Sequence, residues 1–294
     1  MKLPQLDNPT PLHRAFADHR RDWRDFRYVY PVISRRSGGL SIGINLNPDN
    51  ACNFDCVYCC VDRSTKAGPH RVDLLQLGEA LSRMLDLVRS GELWDDERFR
   101  NVPESHRRLN DIAFSGNGEP TLAKAFLPIV REVIRIRDLK GFPDAKPVLI
   151  TNATLLHRPN VAEAVGLLYR AGGEVWAKLD AGDDETYRQV NRPQDPLSRV
   201  LDNLRETGRR FPLVIQSMWL RAYDQPPTPE QVDAFAHRLR ELVDDGCAIR
   251  ELHLYTVARQ TTEPWVSALA ADELDVIRRR VEDAIPGLAI RTYD

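Results

Sequence analysis

"LSIGINLNPDNACNFDCVYC", residues 40–59, joins an alternating strand to a loop that carries three spaced cysteines. In the strand, Ile42 and Ile44 share one face and Asn45 lies on the other. "VWAKLDA", residues 175–181, repeats this alternation of apolar and polar positions. A strand covered by helices on both faces would be continuously apolar. The pattern therefore predicts a curved sheet with helices outside and a polar cavity inside.

The rest of the chain alternates short apolar runs with amphipathic stretches. The predicted strands are 40–46, 111–115, 147–151, 175–180, 213–220 and 250–257, and the predicted helices are 72–89, 121–137, 160–172, 196–208, 229–245 and 271–284. For the helix at 229–245, Thr228 is the predicted N-cap, Gln231 completes a capping box and Gly246 is the stop. Six strand–helix alternations without a hairpin require parallel strands joined by crossover helices.

The predicted fold class is α/β, a partial (βα)6 TIM-type barrel with a short N-terminal extension. The extension covers residues 1–38 and the barrel covers residues 39–294, with a C-terminal helix and a further strand in "LAIRTY", residues 288–293.

Charge and hydropathy narrow the classes of function. Lys and Arg total 41 and Asp and Glu total 43, so the net charge of -2 provides no global field for nucleic acid or an anionic membrane. Apolar runs stay below the roughly 18 residues that cross a bilayer, and the first residues lack the apolar core of a signal peptide. We therefore expect a cytoplasmic protein with no membrane partner.

Four of the five cysteines fall within residues 51–60. Cytoplasmic thiols stay reduced and an odd count is a poor disulfide framework, which favours metal binding or catalysis. Cys52, Cys56 and Cys59 follow the first barrel strand, at the end where barrel enzymes place their sites. Three such thiolates can ligate three irons of a [4Fe-4S] cluster and leave the fourth iron open. The alternative is a zinc-stabilised binding module, with Cys60 or His70 as fourth ligand.

The C-x3-C-x2-C spacing, with Tyr58 before the last cysteine, resembles the signature of the radical S-adenosylmethionine (SAM) superfamily. The resemblance implies that Cys52, Cys56 and Cys59 hold the cluster and that SAM chelates its open iron. A reduced cluster would then cleave SAM to methionine and a 5'-deoxyadenosyl radical, which abstracts hydrogen from a substrate. It also implies an external electron donor such as flavodoxin or ferredoxin. Cys60 and Cys247 are interpreted as ordinary loop or buried cysteines.

"SGNGEPTL", residues 115–122, follows the second predicted strand. It is either a tight turn between strand and helix or a glycine-rich ligand loop. The stretch resembles the Gly-Gly-Glu element that binds the SAM amino group in this superfamily, although Asn117 interrupts the glycine pair. The resemblance implies SAM contacts at Gly116, Asn117, Gly118 and Glu119.

Polar residues also end the third and fourth strands. Thr151 and Asn152 are candidate cofactor contacts. Lys178 is a candidate to contact an anionic group of SAM or substrate, and Asp180 to orient it or to bind a ribose. A simple buried pair between Lys178 and Asp180 is the alternative.

Later strands supply the remaining candidates. By resemblance, Gln216 and Ser217 lie near the SAM ribose and carboxylate. Tyr255 is predicted to face inward, and Val257 to contact adenine through its backbone. His253 fits a satisfied core histidine better than a ligand.

The resemblance covers about residues 39–260 and is greatest to small iron-sulfur oxidoreductases grouped with wyosine-base synthases. The substrate could be a small molecule, a peptide or a tRNA base. Neutral charge and too few thiols for a second cluster argue against tRNA, and the lack of a cysteine-rich C-terminal extension argues against a peptide. Candidate covers for the cavity are residues 1–38, 91–108 and 259–269.

Aromatic residues interleave with arginines in the N-terminal extension, at Trp23, Phe26, Tyr28 and Tyr30. This pattern is compatible with nucleic-acid binding. A solvated helix with a few packed aromatic side chains explains it equally well.

Overall fold

Strands and helices alternate along the chain in the computed structural model, which describes residues 10–18, 21, 23–63 and 71–293. The strands are β1 Val29–Ser34, β2 Gly39–Ile44, β3 Leu109–Phe114, β4 Lys146–Thr151, β5 Glu174–Lys178, β6 Leu213–Trp219, β7 Arg221–Ala222, β8 Ile249–Thr256, β9 Val266–Ser267 and β10 Ile290–Tyr293. The helices are α1 Pro11–Ala17, α2 Leu74–Ser90, α3 Phe126–Leu139, α4 Pro159–Arg170, α5 Asp184–Asn191, α6 Leu197–Gly208, α7 Pro229–Asp244 and α8 Ala271–Ala284.

One curled sheet has the strand order β1–β2–β3–β4–β5–β6–β8–β10. Each strand from β2 onward pairs in parallel with its neighbour, and β1 pairs antiparallel with β2. All six predicted strands are present, and the terminal strand adds a seventh as β10. The partial barrel predicted from the sequence is confirmed.

Helix boundaries follow their capping residues. Thr228 and Gln231 form the predicted capping box of α7, and Gly246, at φ 87°, lies just after its end. Asp73 caps α2 by accepting from the backbone N–H groups of Leu75 and Gln76. Within the described residues, no helix is both long enough and apolar enough to span a bilayer.

The curled sheet has an outer face, which packs against the helices, and an inner face, which lines the barrel. Its outer face packs against the helices through side chains such as Ile42 and Ile44, which are fully buried. Its inner face carries a compact apolar layer of Ala113, Val148 and Trp176, together with Val214. Polar side chains lie on both sides of this layer, because Ser41 bonds to Asp111 near the beginning of the strands and the cavity lies toward their carboxyl ends.

The N-terminal extension contributes directly to the sheet, because β1 lies within residues 1–38. The ring of Tyr30 occupies the space beside Gly43, where a Cβ atom would lie 2.1 Å from it. Trp23, Phe26 and Tyr28 are buried as well, each at most 5% exposed. The solvated helix expected for this segment is thus wrong over Val29–Ser34, and the packing of the aromatic residues is right. Their burial removes them as stacking partners for bases.

The segment 91–108 forms two short 3-10 helices, Glu92–Asp95 and Glu104–His106. The carbonyl oxygen of Arg108 accepts from the backbone N–H of Leu40, at the beginning of β2. This end of the barrel is opposite to the carboxyl ends of the parallel strands. The segment therefore does not cover a site located at those ends.

Candidate active site

A cavity of about 290 Å³ opens at the carboxyl ends of the parallel strands. The predicted site residues that line it are Cys52, Cys56, Tyr58, Cys59, Gly116, Gly118, Glu119, Thr151, Asn152, Lys178, Tyr255 and Val257. The other predicted residues, Asn117, Asp180, Gln216 and Ser217, are not part of its lining. The fold thus gathers most of the predicted residues from five strand ends into one place.

The cysteine loop follows β2 and is fastened on both sides. Asp55 and Val57 donate backbone hydrogen bonds to the carbonyl oxygens of Asn191 and Val190, at the end of α5. Thr262, in the segment after β8, donates its backbone N–H to the carbonyl oxygen of Cys59 at 3.0 Å. These backbone contacts fix the path of the loop along the cavity wall.

Hydrogen-bond donors approach two of the three sulfur atoms. The Asn191 side-chain amide donates to Cys56 Sγ at 3.5 Å, and Arg63 Nη2 donates to Cys59 Sγ at 3.4 Å. The backbone N–H of Val61 also reaches Cys59 Sγ, at 3.5 Å. Such donors stabilise negative charge on sulfur, so the residues present fit an iron-sulfur cluster.

Burial opposes ionisation of the free thiols. It raises the pKa of Cys56 to about 12 and also raises the pKa of Cys52. Metal coordination would offset this effect, since metal ligands must be deprotonated. Among the described residues, no group of three Cys, His, Asp or Glu side chains converges on a position for a single metal ion. His70, the alternative zinc ligand, lies outside the described residues.

The other two cysteines differ in environment. Cys247 is buried, and its thiol donates to the carbonyl oxygen of Leu204 at 3.4 Å. Cys60 is exposed and borders the cavity beside Cys59. Cys247 is thus a core residue remote from the cysteine loop.

The glycine-rich turn after β3 packs directly against the cysteine loop and the end of β2. A Cβ atom on Gly116 would lie 2.3 Å from Asn45 Oδ1, and one on Gly118 would lie 1.8 Å from the carbonyl oxygen of Ala51. Asn117 belongs to the same contact, because its backbone N–H donates to Asn45 Oδ1 at 3.1 Å. The two glycines are therefore needed for the close approach of two chain segments, as the tight-turn interpretation expects.

Glu119 joins this turn to the end of β4. Its Oε1 accepts from the hydroxyl groups of Thr121 and Thr151, and its Oε2 accepts from the backbone N–H of Asn152 at 2.7 Å. Burial raises the pKa of Glu119, and these hydrogen bonds counteract the shift. The side chain of Asn152 continues the network by donating to Asn53 Oδ1, in the cysteine loop, at 2.8 Å.

Lys178 and Asp180 do not bond to each other directly. Lys178 Nζ donates to the hydroxyl groups of Tyr58 and Tyr255, at 2.8 Å and 3.0 Å. The Tyr58 hydroxyl donates to Asp180 Oδ2, which also accepts from the side-chain amide of Asn191 at 2.7 Å. Burial opposes the charge on Lys178, but Tyr255 and Asp180 raise its pKa above the ordinary value. The result is a protonated lysine aimed into the cavity, with Asp180 behind Tyr58.

Two candidates on β6 lie away from the cavity wall. Gln216 Oε1 accepts from Arg36 Nη1 at 2.7 Å, inside the barrel. Ser217 is fully buried and pairs in register with Leu254, whose side chain packs in the core between sheet and helices. On β8, His253 is buried and contacts Glu251 Oε2 at 2.9 Å, as expected for a satisfied core histidine.

The sequence predictions missed three contributors to the site. Asn191 lies at the end of α5, an eight-residue helix too short and too polar for a clear apolar stripe. Arg36 follows β1, which was not predicted as a strand, and Arg259 follows β8. For Arg259 the available sequence signal was its position just after the predicted strand 250–257.

A radical SAM superfamily model matches residues 46–224. This match covers more than half of the chain, so the chain belongs to the radical SAM superfamily. Membership of this superfamily implies an enzyme that uses SAM and an iron-sulfur cluster. Enzymes of this superfamily act on a substrate and need an electron donor.

Curated relatives align with this chain over most of its length. A GTPase Obg of Brachyspira hyodysenteriae is 24% identical over 265 residues, which are 87% of this chain and 33% of the relative. A UPF0026 protein of Methanocaldococcus jannaschii is 29% identical over 247 residues, which are 80% of this chain and 65% of the relative. The chain thus spans about a third of the first relative and about two thirds of the second.

Solved structures share the fold. A radical SAM methyltransferase from Sphaerobacter thermophilus aligns with a TM-score of 0.59 at 11% identity, over 90% of this chain and 68% of that one. TYW1 with a lysine-pyruvate adduct bound aligns with a TM-score of 0.53 at 16% identity, over 94% of this chain and 82% of that one. At these identities the likeness concerns the fold alone.

Proposed function

We propose that this enzyme cleaves SAM reductively at a [4Fe-4S] cluster held by Cys52, Cys56 and Cys59. The observation that carries the proposal is the placement of the three cysteines on one cavity wall, with hydrogen-bond donors at the sulfur atoms of Cys56 and Cys59. When bound and reduced, the cluster would supply the electron that converts SAM to methionine and a 5'-deoxyadenosyl radical. Such a radical would take a hydrogen atom from the substrate.

The chain's own residues hold SAM and orient it in this proposal. The protonated Lys178 faces the cavity and attracts a carboxylate. Glu119, Thr151 and Asn152 tie the strand ends together, so that the cavity wall stays rigid while the cofactor binds. Gly116 and Gly118 keep the turn in contact with the cysteine loop, which leaves backbone groups of this turn close to the cofactor.

A tRNA base is a candidate substrate, and the shared fold with TYW1, a wyosine synthase, favours it. The aromatic residues of the N-terminal segment cannot stack on its bases, because they are buried. A nucleic-acid substrate would have to reach the cavity through other surfaces. The basic side chains at the cavity mouth, described below, would be the first to meet it.

The experiment is SAM cleavage by anaerobically reconstituted, dithionite-reduced protein. Wild-type protein should form 5'-deoxyadenosine, and Cys56→Ala should reduce its formation to background. Cys247→Ala is the matched control, because Cys247 is buried away from the cavity, and it should retain cleavage. Retained cleavage in Cys56→Ala would refute the ligand assignment. Incubation with fractionated cell extract, followed by the rate of 5'-deoxyadenosine formation, would then identify the fraction that contains the substrate.

A further inference from the structure

The cavity lining is strongly basic. The described cationic side chains in it are Arg21, Arg35, Arg36, Arg63, Lys178 and Arg259. Among the described residues that line the cavity, Glu119 is the sole carboxylate, and its oxygen atoms already accept from Thr121, Thr151 and Asn152. The lining therefore has a large excess of positive charge.

Two of these cations already serve the cysteine loop and its surroundings. Arg63 donates to Cys59 Sγ and to the carbonyl oxygen of Asn117, and Lys178 donates to two tyrosine hydroxyl groups. The remaining group of interest is Arg21, Arg36 and Arg259, called here the basic wall. Its members come from the segment before β1, the end of β1 and the segment after β8. All three line the cavity, where Arg21 reaches the turn after β3 through Asn117 and Arg36 reaches β6 through Gln216.

The hydrogen-bond partners of the basic wall are neutral. Arg21 donates to the amide oxygen of Asn117 at 2.6 Å. Arg36 donates to the amide oxygen of Gln216, and its guanidinium lies 5.6 Å from the ring centroid of Trp176. Arg259 forms no hydrogen bond or ion pair with any residue that the structure describes. The carboxylate of Asp111 bonds to Ser41 near the beginning of the strands and does not line the cavity.

The electrostatic consequence is visible at Arg259. Burial is the largest cause that lowers the pKa of Arg259 to about 10. The neighbouring Cys60 opposes this shift, and the like charges of Arg36, Arg21 and Arg35 add to it. Like charges that are gathered in a partly buried cavity repel each other unless an anion neutralises them. A guanidinium fork binds phosphate or carboxylate oxygens through two parallel hydrogen bonds.

We propose that the basic wall binds an anionic group of the substrate, a phosphate or a carboxylate, separately from the SAM carboxylate. This inference deepens the proposed function, because it names the chemical class of the substrate for the same site. The anion would anchor the substrate within the cavity, beside these guanidinium groups. The anchored end keeps its charge throughout, and the hydrogen is removed elsewhere on the molecule.

The test measures anion binding to the reconstituted holoenzyme without reductant, by calorimetric titration. Inorganic phosphate and malonate are the two probes, and they distinguish a phosphate site from a carboxylate site. Wild-type protein should bind one of them saturably, with an affinity that falls as NaCl rises. Arg259→Gln should weaken this binding about tenfold or more, and Arg259→Lys should weaken it less. Arg135→Gln is the control, because Arg135 is exposed on α3 and pairs with Glu132.

The outcomes separate the two proposals. No saturable binding of either anion to wild-type protein, or equal binding by Arg259→Gln and Arg135→Gln, would overturn the anion site. A parallel titration with SAM provides the second arm. If Arg259→Gln weakens SAM binding by the same factor, the wall belongs to SAM and the inference fails. If the anion binds through Arg259 while reduced protein leaves SAM intact, the anion site stands and the proposed cleavage fails.

Discussion

The close approach of Gly118 to the cysteine loop provides a sharp test of how the site is built. A Cβ atom at position 118 would lie 1.8 Å from the carbonyl oxygen of Ala51, whereas real Cβ contacts stay above about 3.0 Å. In Gly118→Ala, the two segments must therefore separate by at least about 1.2 Å. Ala51 precedes Cys52, so the displacement moves a cluster ligand directly. The backbone angle φ at Gly118 is not in the left-handed region, and the clash alone decides the effect.

The expected cost is about 3 kcal/mol, at the upper end of typical overpacking penalties. For a chain of this size it should lower the melting temperature by roughly 5 °C. The assay has two readouts, thermal unfolding of the protein and its iron and sulfide content after anaerobic reconstitution. Both values should fall in Gly118→Ala, because the same contact supports the fold and positions Cys52.

Gly166→Ala is the matched control for this experiment. Gly166 lies in α4, where the new Cβ atom would meet the flexible end of Arg170 at 3.3 Å. This variant should keep its iron content and its melting temperature. If Gly118→Ala has the same melting temperature as Gly166→Ala and binds the same amount of iron, the reasoning about the turn is wrong.

Two further predictions concern buried polar groups. Burial raises the pKa of Asp111 from 3.8 to about 6, so the folded state holds its proton more tightly than the unfolded state. Stability from this group is present below about pH 4 and is lost as the pH rises to about 6; at pH 7.5 the penalty is about 3 kcal/mol. Urea unfolding should show that Asp111→Asn lacks this loss, and parallel pH profiles for the two proteins would contradict the prediction. Asn191→Leu removes a donor that stabilises negative charge on Cys56 Sγ. A redox titration should therefore give the cluster a more negative midpoint potential, and an unchanged potential would rule out this role for Asn191.

Most of the fold could be predicted from local sequence patterns. The alternation in residues 40–46 and 175–180, together with helix signals such as Thr228 and Gly246, needs only neighbours in sequence to be read. These signals predicted six strands and six helices near their observed bounds, except that α3 begins at Phe126 and not at 121, because Pro120–Leu122 forms a separate 3-10 helix. Strand β1 was not predicted, because its antiparallel pairing with β2 depends on packing and its arginine-flanked aromatic residues resemble a surface segment.

The candidate site also has a part that local sequence patterns predict and a part that they do not. The cysteine loop, the glycine-rich turn and the polar strand ends could be recognised without a structure, because each of these is a short motif. The tertiary structure decided that Lys178 bonds to Tyr58 and Tyr255 and not to Asp180, and that Ser217 faces the helices. It also brought together Arg21, Arg36 and Arg259, which are up to 238 residues apart in the chain. Such groupings depend on how the sheet curls and closes, and no local pattern of residues encodes that geometry.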